Sequence, residues 1–191
     1  MTLRLTSLAL MAALVLPGAA SAADYAIDTK GAHASINFRI KHLGFSWLAG
    51  RFDQFSGTFS YDDKAPDASK VSVEIDTNSV NSNHAERDKH LRGADFLDVT
   101  KFPKATFVSK SVTPAGEGKA TITGDLTLRG VTKEVKIDAA YVGGGTDPWG
   151  GTRAGFTGTT KITLADYGID FNLGPASKEV ELALEVEGVK Q

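Results

Sequence analysis

The stretch Glu179-Val180-Glu181-Leu182-Ala183-Leu184-Glu185-Val186-Glu187 decides the fold. Val180, Leu182, Leu184 and Val186 fall on one side, and Glu179, Glu181, Glu185 and Glu187 on the other. That is the period-two pattern of a strand with one face buried and one in water. The same alternation runs back along the chain. Ala34, Ile36, Phe38 and Ile40 alternate with Ser35, Asn37, Arg39 and Lys41, and Val71, Val73 and Ile75 alternate with Ser72, Glu74 and Asp76. Ala105 and Phe107 continue it, followed by Ile122, Leu126 and Leu128, by Val135, Ile137, Ala139 and Tyr141, and by Ile162 and Leu164. Phe52 and Phe55 have opposite parity, so a bulge or bend is expected between them. Turn-forming clusters at 62–67, 113–118 and 143–148 read as loops, and Arg129-Gly130-Val131-Thr132-Lys133 as the close of a hairpin. Short strands without crossover helices predict one antiparallel all-β domain, a barrel or a sandwich.

One helix interrupts the strands. Asn83 is placed to cap it, Glu86 stands where a capping box wants it, and Gly93 is placed to end it. Its body, His84 to Arg92, is almost entirely charged. Such a helix cannot be a core element. It is expected across the surface or the mouth of a barrel, held by Leu91 and by Phe96-Leu97.

Composition narrows the class. The 191 residues carry 21 Lys+Arg against 23 Asp+Glu, a net charge of −2, which lacks the basic footprint of a nucleic-acid binder. At 41% hydrophobic and 23% charged the chain can bury a core. Cysteine is absent, which excludes disulfides, thiolate metal sites and a catalytic thiol. Glycine, at 20 residues, favours a β-rich fold with many turns. The first residues form a separate unit: Arg4, the apolar run Leu8 to Leu16, the break Pro17-Gly18, and the small residues Ala20-Ser21-Ala22. This is the layout of a secretory signal over residues 1–22, with an apolar run too short to span a bilayer. The folded domain is then expected over 23–191, starting at Ala23, with the periplasm its destination.

The histidines are His33, His42, His84 and His90. His84 and His90 stand six apart, on different faces of a helix. With Glu86 and Asp88 they could bind a metal weakly, but Glu86–His90, His84–Asp88 and Asp88–Arg92 are also ordinary i,i+4 helix pairs. No Gly-x-Ser-x-Gly, Walker loop or dinucleotide fingerprint occurs, and Gly143-Gly144-Gly145 reads as a flexible hairpin loop. The aromatic residues say more. Of ten Phe, five (38, 45, 52, 55 and 59) lie within 38–59 beside Trp47. They either fill a core or wall an apolar cavity, since an eight-stranded barrel encloses side chains or one small ligand. Periodicity does not separate the two.

Three motifs in order resemble the YceI family over residues 24–191. They are Asn83-His84-Ala85-Glu86-Arg87-Asp88-Lys89-His90-Leu91-Arg92-Gly93-Ala94-Asp95-Phe96-Leu97 with Lys101 to Phe107, then Gly124 to Lys133, then Asp147 to Phe156. The resemblance implies an extended, lipocalin-like antiparallel β-barrel with the short charged helix near one end. It also implies a polyisoprenoid or similar amphiphilic chain held in the interior, and it suggests a dimer. It supplies no reaction and no catalytic residues. A ten-residue strand rises about 33 Å, close to the extended length of about eight isoprene units, so one barrel is expected to hold such a chain end to end.

The expected function is a periplasmic protein that sequesters or transports an isoprenoid quinone or polyprenyl lipid, with no metal and no cofactor beyond that non-covalent ligand. The expected lining is Phe38, Phe45, Trp47, Phe52, Phe96, Phe102, Trp149, Phe156 and Leu182, with Phe45, Trp47 and Phe102 in particular walling a cavity. Arg87, His90 and Arg92 are candidates to meet a polar or anionic head group. They are equally readable as solvated helix charges. A transient contact with a membrane surface and a second copy of the chain are the other expected partners. The alternative is an enzyme acting on a lipid head group, with His84 or His90 paired to Glu86 or Asp88 as acid and base. A stress-related metal or haem binder is a third class, which the resemblance does not support.

Overall fold

The computed structural model describes residues 22–191, so the expected leader, Ala22 aside, lies outside the described residues. The alternation becomes β1 (Ala23–Ile27), β2 (Ser35–His42), β3 (Ser46–Phe52), β4 (Phe55–Tyr61), β5 (Lys70–Asp76) and β6 (Val80–Asn81). After α1 (Ala85–Arg92) come β7 (Lys104–Gly116), β8 (Lys119–Leu128), β9 (Val131–Thr146), β10 (Thr152–Thr163) and β11 (Glu179–Lys190). Hydrogen bonds run β1–β4–β5–β7–β8–β9–β10–β11 and back to β1, closing an eight-stranded antiparallel barrel. Closure removes the exposed edges that an open sheet would present.

The first three walls are each one long strand with a break. β11 pairs with β1 near its end and with β2 along Val180–Glu185. β3 and β4 continue each other beside them, and β5 and β6 follow. The breaks at 28–34, 53–54 and 77–79 adjoin. Asp28 N–H donates to Glu187 O at 2.8 Å, Asp53 N–H to Ser79 O at 3.1 Å, and Asp76 N–H to Gln54 O at 3.0 Å. This seam resolves the opposite parity of Phe52 and Phe55: each lies on its own side of the break and both turn inward.

Two expectations about loops are corrected. β7 runs on through Gly116, leaving only Glu117-Gly118 as the turn, at φ 52° and 73°. Residues 143–146 are strand, paired with β10, and the turn begins at Asp147. A two-residue turn with both φ positive matches the twist of its flanking strands, so the β7–β8 hairpin is tighter than its composition suggests, while residues 147–151 join β9 to β10. Glycine also works inside the sheet. A Cβ at Gly124 would lie 2.5 Å from Phe107 Cζ, and a Cβ on Gly50 or Gly188 would strike the rings of Phe38 or Phe59. The rings of Phe38 and Phe107 occupy the space over bare backbone on the next strand, and that of Phe59 reaches past β1 to β11.

The helix cap also differs from expectation. His84, not Asn83, is the N-cap, its Nδ1 accepting from Arg87 N–H at 3.3 Å, while Asn83 takes φ 62° just before it. Gly93 ends the helix in extended conformation, its N–H donating to His90 O at 2.9 Å. Leu91 packs on the core and Phe96 and Leu97 are buried, so the hook holds α1 over one end of the barrel.

Candidate functional site

The barrel interior has two halves. At the far end Tyr25 and Phe59 stack at 4.9 Å, and Phe156 meets Phe59, Tyr61 and Tyr141 at 5.5, 5.0 and 5.4 Å. With Ile27 and Ala154 these rings fill that end. The other half is hollow. A cavity of about 640 Å³ is walled by Ile36, Phe38, Leu48, Phe52, Leu126 and Leu182 among others, and opens between α1, the β2–β3 turn and residues 169–177. This volume lies within the range of small-molecule sites. Along β2 its wall runs from Ile36 to His42, about 20 Å at strand rise. The expectation that an extended eight-unit chain lies end to end is thereby corrected: the aromatic floor stops the hollow well short of the barrel's length.

Of the expected lining, Phe38, Phe52, Phe96 and Leu182 are on the cavity wall. Five others are elsewhere. Phe45 is 87% exposed at the β2–β3 turn, because Phe45 N–H closes that turn onto His42 O and turns its ring to solvent. Trp47 alternates with Leu48, and Leu48 takes the inward position; the indole lies outside, with the Arg39 guanidinium 4.4 Å over its ring. Phe102 wedges beneath Gly130 while its carbonyl accepts from Thr77 Oγ1 at 2.7 Å, outside the cavity. Trp149 is 85% exposed at the tip of the β9–β10 hairpin, at the far end. Phe156 faces inward, but into the floor rather than the hollow.

The candidate head-group residues also separate. Arg87 and His90 border the cavity. Arg87 Nε donates to Ser82 Oγ at 2.7 Å, its Nη2 donates to Ser82 O, and Ser82 Oγ donates in turn to Asp88 Oδ1. Burial opposes the charge on Asp88. Hydrogen bonds from Ser82, with Arg92 and Arg87 nearby, nevertheless hold its carboxyl below the ordinary carboxylate range. His90 meets Asp95 at 3.3 Å and presents its ring edge-on to Phe96 and Phe171, at 4.9 and 5.2 Å. Arg92 is turned away. Its guanidinium donates to Asn78 O at 2.7 Å and Val80 O at 2.9 Å, tying α1 to the wall. The expected i,i+4 pairs of α1 do not form as ion pairs: His84 caps, Asp88 turns to Ser82, and His90 finds Asp95.

Residues 164–178 complete the mouth. Ile169, Phe171 and Leu173 border the cavity, and Ser177 Oγ donates to Lys41 O, pinning this loop to β2. Their alternation with Asp170 and Asn172 is a period-two signal in the sequence. Beneath the loop Tyr167 is buried without a partner for its hydroxyl among the described residues, and burial, with Asp166 beside it, pushes that hydroxyl up to about 12. On the outer wall the donor atoms of Asp28, His33 and Glu187 lie within 4.8 Å of one another. Arg153 already donates to Asp28 Oδ2 at 2.8 Å, to Glu187 Oε1 at 2.6 Å and to Asp147 Oδ2 at 2.7 Å, so a protein cation meets their charge.

Comparison with known proteins follows this geometry. The chain is 61% identical over 178 residues to a UPF0312 protein of Shewanella sp. (strain ANA-3), covering 93% of each chain. It is 60% identical over 187 residues to a UPF0312 protein of Pseudomonas aeruginosa (strain LESB58), covering 98% of this chain and 97% of the relative. The crystal structure of the Campylobacter jejuni YCEI protein superposes with a TM-score of 0.72 at 31% identity, over 80% of this chain and 90% of that one. The fold is shared with a polyisoprenoid binding domain from Saccharophagus degradans, implicated in plant cell wall breakdown, at a TM-score of 0.64 and 18% identity, over 87% and 98% of the two chains. The family model for the YceI-like domain matches residues 25–188, and the chain belongs to that family.

Proposed function

We propose that this protein holds a polyisoprenoid or similar long-chain amphiphilic lipid, an isoprenoid quinone or polyprenyl lipid, for sequestration or transport in the periplasm. It does so without catalysing a reaction on the lipid. One observation carries the reading: a barrel half-hollowed into an apolar cavity, sealed by rings at one end and open at the other beside Arg87 and His90. The ligand named for the Saccharophagus degradans domain, which shares this fold, supports the lipid class. Burying a hydrocarbon chain here removes it from water at about 25 cal/mol per Å² of apolar area. The tail enters first and meets Phe156. A tail longer than the hollow folds back or leaves its head end outside, where Arg87 and His90 face it. The pairs named for the enzyme reading do not form among the described residues: His84 caps α1, Asp88 is turned to Ser82, and His90 meets Asp95 instead.

Secretion with cleavage after Ala22 is part of the proposal, and intact mass on a periplasmic fraction tests it, with Ala23 expected as the first residue. Native mass spectrometry of that fraction, followed by lipid extraction, tests the ligand. A prenyl lipid in one-to-one ratio is expected. Protein that carries no lipid and takes up neither a prenol nor a quinone from detergent would overturn the function. Sedimentation tests the dimer.

A further inference from the structure

The β2–β3 turn spends conformational strain to put apolar side chains in water. Leu43 sits at φ 54° and Gly44 at φ 85°. A branched side chain in the left-handed region is unfavourable, and Asn or Asp would be the ordinary choice there. The same positive-φ pair closes the turns at Glu117-Gly118 and Arg129-Gly130, so what sets this turn apart is the apolar side chain at that position. Here Leu43 is 56% exposed and Phe45, as above, almost wholly so. Trp47 on β3 and Phe171 across the mouth are each 44% exposed. The turn packs against residues 174–177. Cβ atoms built on Gly44 and Gly174 would rest 3.8 Å from Ala176 and Leu43, and Ser177 holds the Lys41 carbonyl. The exposed patch is therefore continuous with the cavity, since Leu43 and Phe171 belong to both.

We infer that this rim is a bilayer-docking surface: Leu43, Phe45 and Phe171 enter the lipid interface while Trp47 lies at its edge. Amphipathic indole rings and apolar tips flanked by cations are what an interface accepts. Lys41 stands 5.6 Å from the Trp47 ring with no ion pair among the described residues, while Arg39 over the same ring is matched by Glu181. Asp170 is the acidic neighbour of Phe171, so the contact rests on the apolar groups with Lys41 as a lesser attraction. Docked this way, the cavity opens into the membrane rather than into water. A lipid tail then passes without crossing the solvent. The inference deepens the lipid-carrier reading, and it is read out separately from it.

The two tryptophans mark opposite ends of the barrel and report the orientation. Vesicles of phosphatidylethanolamine and phosphatidylglycerol, three to one, with brominated acyl chains, are mixed with Trp149→Phe, which leaves Trp47, and with Trp47→Phe, which leaves Trp149. Quenching of Trp47 and not of Trp149 is expected. Phe45→Ser touches neither core nor cavity wall, so it folds and keeps its lipid content by mass spectrometry, while its vesicle partitioning falls about tenfold or more. Absence of vesicle binding in the wild type, equal quenching of both tryptophans, or unchanged binding by Phe45→Ser overturns the inference. So does loss of a dimer on Phe45→Ser in protein that never binds vesicles, which would give the patch to a second copy. A lipid-loaded protein that ignores vesicles defeats docking and leaves the carrier function standing; vesicle binding by a protein that holds no lipid does the reverse.

Discussion

Replacing Phe156 and Phe38 by Ala in separate proteins distinguishes a floor from a wall. Phe156 packs against three rings at the closed end, so its truncation opens a void where none existed. A cost of about 3–5 kcal/mol is expected, the transfer term together with a cavity term. Phe38 has one ring partner, Phe52 at 5.9 Å, and already borders the hollow. Truncating it enlarges an existing space, so mainly the transfer term is lost, about 1.5–3 kcal/mol. The difference, about 1.5–2 kcal/mol, is measured by urea unfolding followed by circular dichroism, with equal slopes required for the comparison. The protein must first be stripped of lipid, because a ligand at a hundred times its dissociation constant adds about 2.7 kcal/mol and would mask the contrast. Lipid retention should move the other way, falling more for Phe38→Ala than for Phe156→Ala. Equal stability losses would mean that both halves are packed alike, and the division of the barrel would be refuted.

Asp88→Asn weakens the bonds from Ser82 and is expected to cost about 1–3 kcal/mol, seen as faster hydrogen exchange in α1. Because the folded carboxyl lies below its ordinary 3.8, the stability it contributes is complete above that value and is lost as pH falls below it; acid melting of α1 should therefore be blunted in Asp88→Asn. Arg92→Gln should lower the urea midpoint by releasing Asn78 and Val80, yet leave the preference between a polyprenyl phosphate and a neutral quinone unchanged; a changed preference would return Arg92 to the head-group site. Tyr167→Phe removes a buried hydroxyl that has no partner among the described residues and should hold or raise the melting temperature, whereas a loss above about 1 kcal/mol would reveal a bound water.

The barrel was legible because period-two alternation is a property of local sequence, and even the seam announced itself in the parity of Phe52 and Phe55. The lining was legible only in part. Phe38 and Leu182 follow the alternation of their strands and lie where it puts them. Phe45 and Trp149 sit in turns, where side-chain direction depends on backbone geometry that no pattern of hydrophobicity records. Size alone puts Trp47 inside, but its inward neighbour Leu48 carries the strand's parity, and a cation over the indole makes the outside acceptable. The division between floor and hollow depends on which rings meet across strands distant in sequence, such as Tyr61 with Phe156, and one-dimensional spacing does not contain it. Arg92 reads as a solvated charge and Asp88 as a partner within its own helix because their actual partners, the carbonyls of 78 and 80 and Ser82, become neighbours only when the chain folds back over β6.

The seam at 28–34, 53–54 and 77–79 gives the vessel an elastic side. Beyond it, β2 and β3 form a panel hinged along β11, and among the described residues β3 is paired on its other side only at Arg51 and Phe52, with the two residues of β6. The panel carries Phe38, Leu48 and Phe52 on its inner surface. Opposite it, β8 is paired along its length on both sides, with β7 and with β9, and β10 is paired with β11 along Arg153–Thr163. A bulky guest is therefore expected to displace this panel more readily than the wall around β8. The panel ends in the exposed turn at Leu43 and Phe45, so a guest that spreads this wall also moves one side of the cavity mouth.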